Sequence, residues 1–161
     1  MPTFETRRRV PFSAKQMFAV VADVEQYPAF LPLCESLVVH SREQKGAATE
    51  IIATMGIGYH AIRESFKSSV TLQPEKDQIV VRYLDGPFEH LENRWGFRDL
   101  ADGSEVHFFI DYAFASRMLS LLMGAVFDKA VRKFAEAFEE RACQIYRSTA
   151  TETQVVRADK A

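Results

Sequence analysis

From residue 35 to residue 115 apolar side chains recur at every second position, and a helical pattern over 117–147 follows. This order constrains the fold more than any other feature of the chain. Period-two alternation describes strands with one covered face and one wet face. In the clearest strand Ile62, Phe66, Val70 and Leu72 point one way, while Arg63, Ser65, Lys67, Ser69 and Thr71 point the other. Val106, Phe108, Ile110, Tyr112 and Phe114 alternate in the same manner. The covered face needs a cover, and only the last helix, running about 45 Å, is large enough. The expectation is an α+β protein: a curved antiparallel sheet gripping a long C-terminal helix, with space left between them.

Local signals place the other elements. Residues 3–11 read as a strand that Pro11 ends. Ser13 with Gln16 three residues on forms a capping box, and the helix it starts buries Met17, Phe18, Val20 and Val21. Asp23 is a cap for a second short helix over Val24–Tyr27, and Tyr27-Pro28 discourages its continuation. Phe30-Leu31-Pro32-Leu33 then falls in a loop. Strands follow at 47–58, where Gly56 and Gly58 mark a bulge or bend, and at 79–84 and 88–100. Pro74-Glu75-Lys76-Asp77, Asp85-Gly86-Pro87 and Asp102-Gly103 supply the turns. Ser116 caps the last helix, whose inner stripe is Phe127, Val131, Phe134, Phe138, Ala142 and Ile145. The order is β-α-α-β-β-β-β-β-β-α in one domain, 1–147, with a polar tail, 148–161, expected to be disordered.

Composition narrows the function. Thirteen Phe against one Trp make a core of flat, bulky groups, which leaves either an internal cavity or a tight packing filled by small residues. A net charge of −2 gives no general attraction to DNA or other nucleic acid. Arg7-Arg8-Arg9 reads as a solvated edge strand, or as a contact for RNA or anionic lipid. Cys34 and Cys143 lack CxxC spacing and fit a reduced, cytoplasmic protein. The N-terminus carries neither a secretory h-region nor the acid-free character of a transit peptide, since Glu5 comes early. No apolar run is long enough to span a bilayer. His40, His60, His90 and His107 are scattered, with no HExxH or paired-Cys spacing, so a metal site is not expected. No phosphate loop or nucleophile elbow occurs, and Asp111 and Tyr112 face opposite ways on their strand.

Two distant segments carry a resemblance. One is Val21-Ala22-Asp23-Val24-Glu25 with Tyr27-Pro28 and Phe30-Leu31-Pro32. The other is Asp85-Gly86-Pro87-Phe88 with Leu91, Asn93 and Trp95. Together with Phe138-Glu139 and Arg141-Ala142 they resemble the coenzyme Q-binding and RatA-type family of the START-like superfamily. The resemblance spans about residues 3–146. It implies a helix-grip START-like fold, a lipophilic pocket and no cofactor chemistry. One branch implies a non-enzymatic carrier or chaperone for ubiquinone or a similar isoprenoid lipid, supporting respiratory electron transport. The other implies a ribosome-association toxin that binds the large ribosomal subunit. The absent transit peptide points to a bacterial relative, cytoplasmic, with transient or peripheral inner-membrane contact left open. A polyketide aromatase or cyclase is a third, weaker reading, with Glu64, Asn93 and Tyr112 the only acid/base candidates.

The candidate ligand-binding residues follow from this resemblance and from strand parity. Leu91, Asn93, Trp95 and Phe97 share one face of a strand. Trp95 either fills the core or stacks on a quinone ring. Asn93 either is a satisfied amide or donates to a quinone carbonyl. Phe66 and Phe108 face inward from neighbouring strands. Phe30, Leu31 and Leu33 form either a loop pinned to the core or a lid ordered by Pro28 and Pro32. Met118, Leu122 and Phe127, with Leu121 and Met123, form core, an adaptable isoprenoid-binding wall, or a membrane or dimer face. Glu64 and Ser68 fall on inward parity, and Glu64 reads either as a cavity acid or as a solvated residue near a strand end.

Overall fold

A computed structural model describes residues 3–147, so the tail expectation for 148–161 lies outside the described residues. Strand β1 (Thr3–Val10) leads to helix α1 (Ala14–Ala22) and a 3-10 helix (Val24–Ala29). The meander follows: β2 (Cys34–Lys45), β3 (Ala48–Tyr59), β4 (Ile62–Gln73), β5 (Gln78–Asp85), β6 (Phe88–Leu100) and β7 (Gly103–Phe114). Helices α2 (Arg117–Val131) and α3 (Phe134–Ala142) follow, with a π-helical turn over Cys143–Arg147 as the last of the described residues. The seven strands form one antiparallel sheet in the order β1-β7-β6-β5-β4-β3-β2. This is the helix-grip architecture expected from the alternating pattern.

The α1 capping box is present. Ser13 Oγ accepts from the Gln16 amide at 3.1 Å, and the Ser13 amide donates to Gln16 Oε1 at 2.9 Å. The helix then buries Ala14, Met17, Val20 and Val21, one stripe at helical spacing. Asp23 differs from expectation: its side chain caps nothing, and its backbone carbonyl accepts from the Gln26 amide at 3.1 Å instead. The short helix also runs past Tyr27, through Pro28 to Ala29. Proline removes one i→i−3 bond there, and the turn is closed beyond it by the Phe30 and Leu31 amides, which both donate to the Tyr27 carbonyl.

Bulges bend the sheet. Register slips at Cys34/Ser36 and Val39/Ser41 in the β2–β3 pair, at Lys67/Ser68 between β4 and β5, and at Phe88/His90 between β6 and β7. The bulge expected at Gly56 and Gly58 therefore lies on the partner strand, where Glu35 is the extra residue. Gly58 makes room for it, since a Cβ there would sit 2.3 Å from a Glu35 carboxylate oxygen, while a Cβ on Gly56 would meet Ser36 Oγ at 2.3 Å. Gly86 holds φ at +145°, and a Cβ there would meet Phe66 Cβ at 2.6 Å. The Asp85-Gly86-Pro87 turn thus closes directly over the inward ring of β4.

The single helix expected over 117–147 is broken. At the joint the Lys133 amide bonds to the Ala130 carbonyl at 3.0 Å, a tighter turn than α. No glycine or proline signals it. Phe127 packs on Phe88 and Tyr112 on one side of the joint, and Phe138 packs on Trp95 and Tyr27 on the other. The break lets both stripes follow a curved sheet, so tertiary packing overrides helix propensity. Edge strand β1 carries the basic run as expected for a charged edge, with Arg7 3.5 Å from Glu105 and Arg8 paired to Glu139.

Ser13→Ala removes one half of the capping box. It is expected to lower stability by about 1 kcal/mol and the thermal midpoint by about 2–4 °C, read by circular dichroism; no shift would mean the box is redundant with the packing of α1.

Candidate ligand-binding site

Between the concave sheet and the two C-terminal helices lies an apolar cavity. Its wall takes Val24, Tyr27, Leu31, Pro32 and Leu33 from the 3-10 helix and the loop after it. The sheet supplies Leu37, Ala53, Met55, Ile57, Phe66, Ser68, Val70, Val81, Leu91, Asn93, Trp95 and Ile110, and the helices supply Phe127, Phe134 and Phe138. No aspartate, glutamate, histidine, lysine or arginine lines it among the described residues. The cavity is about 70 Å³, and the whole gap between the lining atoms, open mouth included, is about 800 Å³. The smaller figure governs what fits between walls at rest, because the larger one counts interstices and solvent.

Aromatic rings build the inner wall. Phe138 meets Trp95 edge to face at 4.9 Å, Tyr27 at 5.2 Å and Phe30 at 5.1 Å. Trp95 also meets Phe108 at 4.7 Å and lies nearly parallel to Phe97 at 6.3 Å. Its indole N–H donates to Asn93 Oδ1 at 3.0 Å, and Asn93 Nδ2 donates to the Phe109 carbonyl at 2.9 Å. Asn93 thus has its oxygen and one N–H committed within the protein, and one N–H uncommitted.

Seven of the twelve candidate residues line the cavity: Leu31, Leu33, Phe66, Leu91, Asn93, Trp95 and Phe127. Phe97 and Phe108 are buried one layer behind, against Trp95. Phe30 sits behind the wall, packed on Tyr27 and Phe138 with the Arg141 guanidinium 5.5 Å from its ring. Met118 and Leu122 are corrected. They are 71% and 56% exposed, beside Leu121 at 81%. The inward stripe of α2 is Met123, Phe127, Ala130 and Val131, and a helix apolar nearly all round does not reveal its inner face. The loop is both pinned and part of the wall: the Leu31 amide bonds to the Tyr27 carbonyl at 2.8 Å and the Gly58 amide to the Leu33 carbonyl at 3.0 Å. Leu33 pays for this with a left-handed φ of 68°.

Several wall residues escaped the sequence reading. Ala53, Met55 and Ile57 share parity with buried Ile51, and Val81 shares it with Ile79; alternation alone would have found them. Phe134 and Phe138 were on the helical stripe but were not assigned to a site. Glu64 lies half-buried at an open surface hollow with Glu35 and Arg63, away from the cavity. Tyr112 is buried but off the wall.

The profile of the family described as polyketide cyclase / dehydrase and lipid transport matches residues 10–139. The chain belongs to that family. The ribosome association toxin RatA of Escherichia coli (strain K12) is 30% identical over 147 residues, covering 91% of this chain and 90% of the toxin. The mitochondrial coenzyme Q-binding protein COQ10 homolog B of Xenopus laevis is 32% identical over 140 residues, 84% of this chain and 55% of that protein. The solution structure of the 18 kDa protein CC1736 from Caulobacter crescentus superimposes with a TM-score of 0.73 at 32% identity, covering 91% of this chain and 99% of that one. The fold is also that of a START superfamily protein from Mycobacterium smegmatis, with a TM-score of 0.64 at 20% identity, covering 89% of this chain and 98% of that one. No helix among the described residues is long and apolar enough to cross a membrane.

Burial also shifts acidities. It pushes the Cys34 thiol up to about 11, partly offset by a backbone hydrogen bond at Ser36. It pushes the Tyr112 hydroxyl up to about 12, with nearby Asp128 adding to the rise and Arg132 opposing it. Tyr27 moves further up, chiefly by burial, while its hydroxyl donates to the Val21 carbonyl. All three are neutral in the fold at ordinary pH. For groups raised this way the stabilising difference is whole below the unfolded value and is lost as pH rises through the folded one.

Thermal midpoints are therefore expected to stay level up to about pH 9 and to fall between about 9 and 12, a window set by Cys34 and Tyr112. Tyr112→Phe should flatten part of the fall, and an unchanged slope would remove Tyr112 as a cause. Phe138→Ala deletes the ring shared by sheet, helix and loop. A loss of about 3–5 kcal/mol in urea unfolding is expected; less than 1 kcal/mol would mean that the wall collapses freely onto the gap.

Proposed function

We propose that this chain is a non-enzymatic carrier or chaperone for a neutral, mostly apolar lipid, ubiquinone or a similar isoprenoid, held in the cavity between sheet and helices. The observation that carries the reading is the uncharged wall of the cavity, built on the Trp95–Asn93 pair. An apolar wall takes up an isoprenoid chain at roughly 0.8 kcal/mol per buried methylene. A flat aromatic neighbour suits a flat, weakly polar ring. The similarity to a protein named as coenzyme Q-binding supports the same ligand class. Catalysis is disfavoured because the wall offers no carboxylate or imidazole to move a proton.

The resting cavity, about 70 Å³, is smaller than the roughly 300–1,000 Å³ of ordinary ligand pockets. Loading must part the walls. The half-buried wall residues are Pro32, Leu33, Leu37, Met55, Val81, Asn93 and Phe134, and the loop pair Pro32 and Leu33 with Leu37, Met55 and Phe134 is where we place the opening.

A second reading has its own support, the match to ribosome association toxins along nearly the whole of both chains. On that reading the partner is the large ribosomal subunit. The charge pairing of Arg7 and Arg8 with Glu105 and Glu139 weighs against a free basic patch on β1.

Purification from a quinone-producing bacterium, solvent extraction and mass spectrometry are expected to recover ubiquinone close to one per chain. Absence of quinone from the extract, together with no binding of added quinone, would overturn the carrier reading. Overexpression followed by sucrose-gradient profiles tests the alternative, which predicts free subunits accumulating at the expense of whole ribosomes; an unchanged profile removes it.

A further inference from the structure

Ser68 is the unexplained polar group of the cavity. It sits on β4 between Phe66 and Val70, opposite Ala53 of β3 and Tyr83 of β5, and is 6% exposed. What exposure it keeps opens onto the cavity that it lines. Its hydroxyl makes no hydrogen bond to any described residue, whereas the outward Ser69 bonds to Glu50 at 3.3 Å. A hydroxyl on a cavity wall with no protein partner keeps its donor and its acceptor sites available to a guest. The register slip falls at this residue: Lys67 pairs with Asp85 but Ser68 with Tyr83, leaving Leu84 as the extra residue on β5. Bulges of this kind re-aim side chains beside binding sites.

The other polar atoms of the wall are largely committed. Trp95 donates to Asn93, Asn93 donates to the Phe109 carbonyl, and Tyr27 donates to the Val21 carbonyl. We propose that Ser68, more than Asn93, is the hydrogen-bonding anchor for an oxygen on the ligand's ring. The cavity then selects neutral oxygenated rings, such as quinones, quinols and phenols, over hydrocarbons of the same shape. It also rejects fatty-acid anions, because no cationic side chain lines the wall to meet a carboxylate. Asn93 lies two strands away, on the order of 10 Å. Its one uncommitted N–H is therefore placed for a second oxygen at the far side of the ring. This assignment rests on the lipid-binding reading above.

The test compares decylubiquinone with decylbenzene, each displacing a fluorescent apolar probe from the parent protein and from Ser68→Ala. Ser68→Ala is expected to weaken decylubiquinone about tenfold, the worth of one net hydrogen bond, and to leave decylbenzene unchanged. Its thermal midpoint should not fall, since the lost hydroxyl has no protein partner. Equal weakening of both ligands, or no change for the quinone, overturns the anchor. Decanoate binding as tightly as decylubiquinone overturns the neutral-ligand selection. If neither decylubiquinone nor decylbenzene binds the parent protein, the lipid-binding reading itself falls, and the anchor with it.

Discussion

The ring of Phe138 is where the parts of this molecule meet. It touches Trp95 of the sheet, Tyr27 of the 3-10 helix and Phe30 of the following loop, all edge to face and within 5.2 Å. Such contacts contribute about 0.5–1.5 kcal/mol each beyond area burial. Their geometry matters more than their sum. They hold α3 at a fixed height above β6, and the cavity occupies the space next to that support. The break before α3 follows from the same constraint. Phe127 must reach the Phe88–Tyr112–Phe114 rings while Phe138 reaches Trp95, and a straight helix over a bent sheet cannot satisfy both.

Much of the fold was legible because alternation is local. A strand's parity names its inward residues before any partner is known, and so Phe66, Leu91, Asn93 and Trp95 were read correctly as facing the interior. Parity does not give depth. Phe97 and Phe108 obey it and lie behind Trp95 instead of beside the cavity. The helix was harder to read, because Met118–Phe127 is apolar on nearly every side and the phase of its inner stripe is set by contacts made elsewhere in the chain. The joint at Arg132–Lys133 has no breaker residue, and the bulge near Gly56 belongs to the strand across from it. Each of these depends on sheet curvature, a long-range property.

Polarity is divided between the surface and the cavity. Ion pairs such as Arg63–Glu35, Arg94–Glu92 and Arg132–Asp128 lie on the outer surface. The wall facing the cavity keeps only hydroxyl, amide and indole groups, most of them bonded to one another or to the backbone. A wall of this kind discriminates by shape and by single hydrogen bonds, and charge takes no part.

Trp95 is the chain's one tryptophan, and it stands in the cavity wall with its N–H tied to Asn93. Every photon of indole emission therefore originates at the pocket. The natural protein is its own optical gauge: a change in the polarity of the hollow, or an electron-accepting guest beside the ring, alters emission without any attached label.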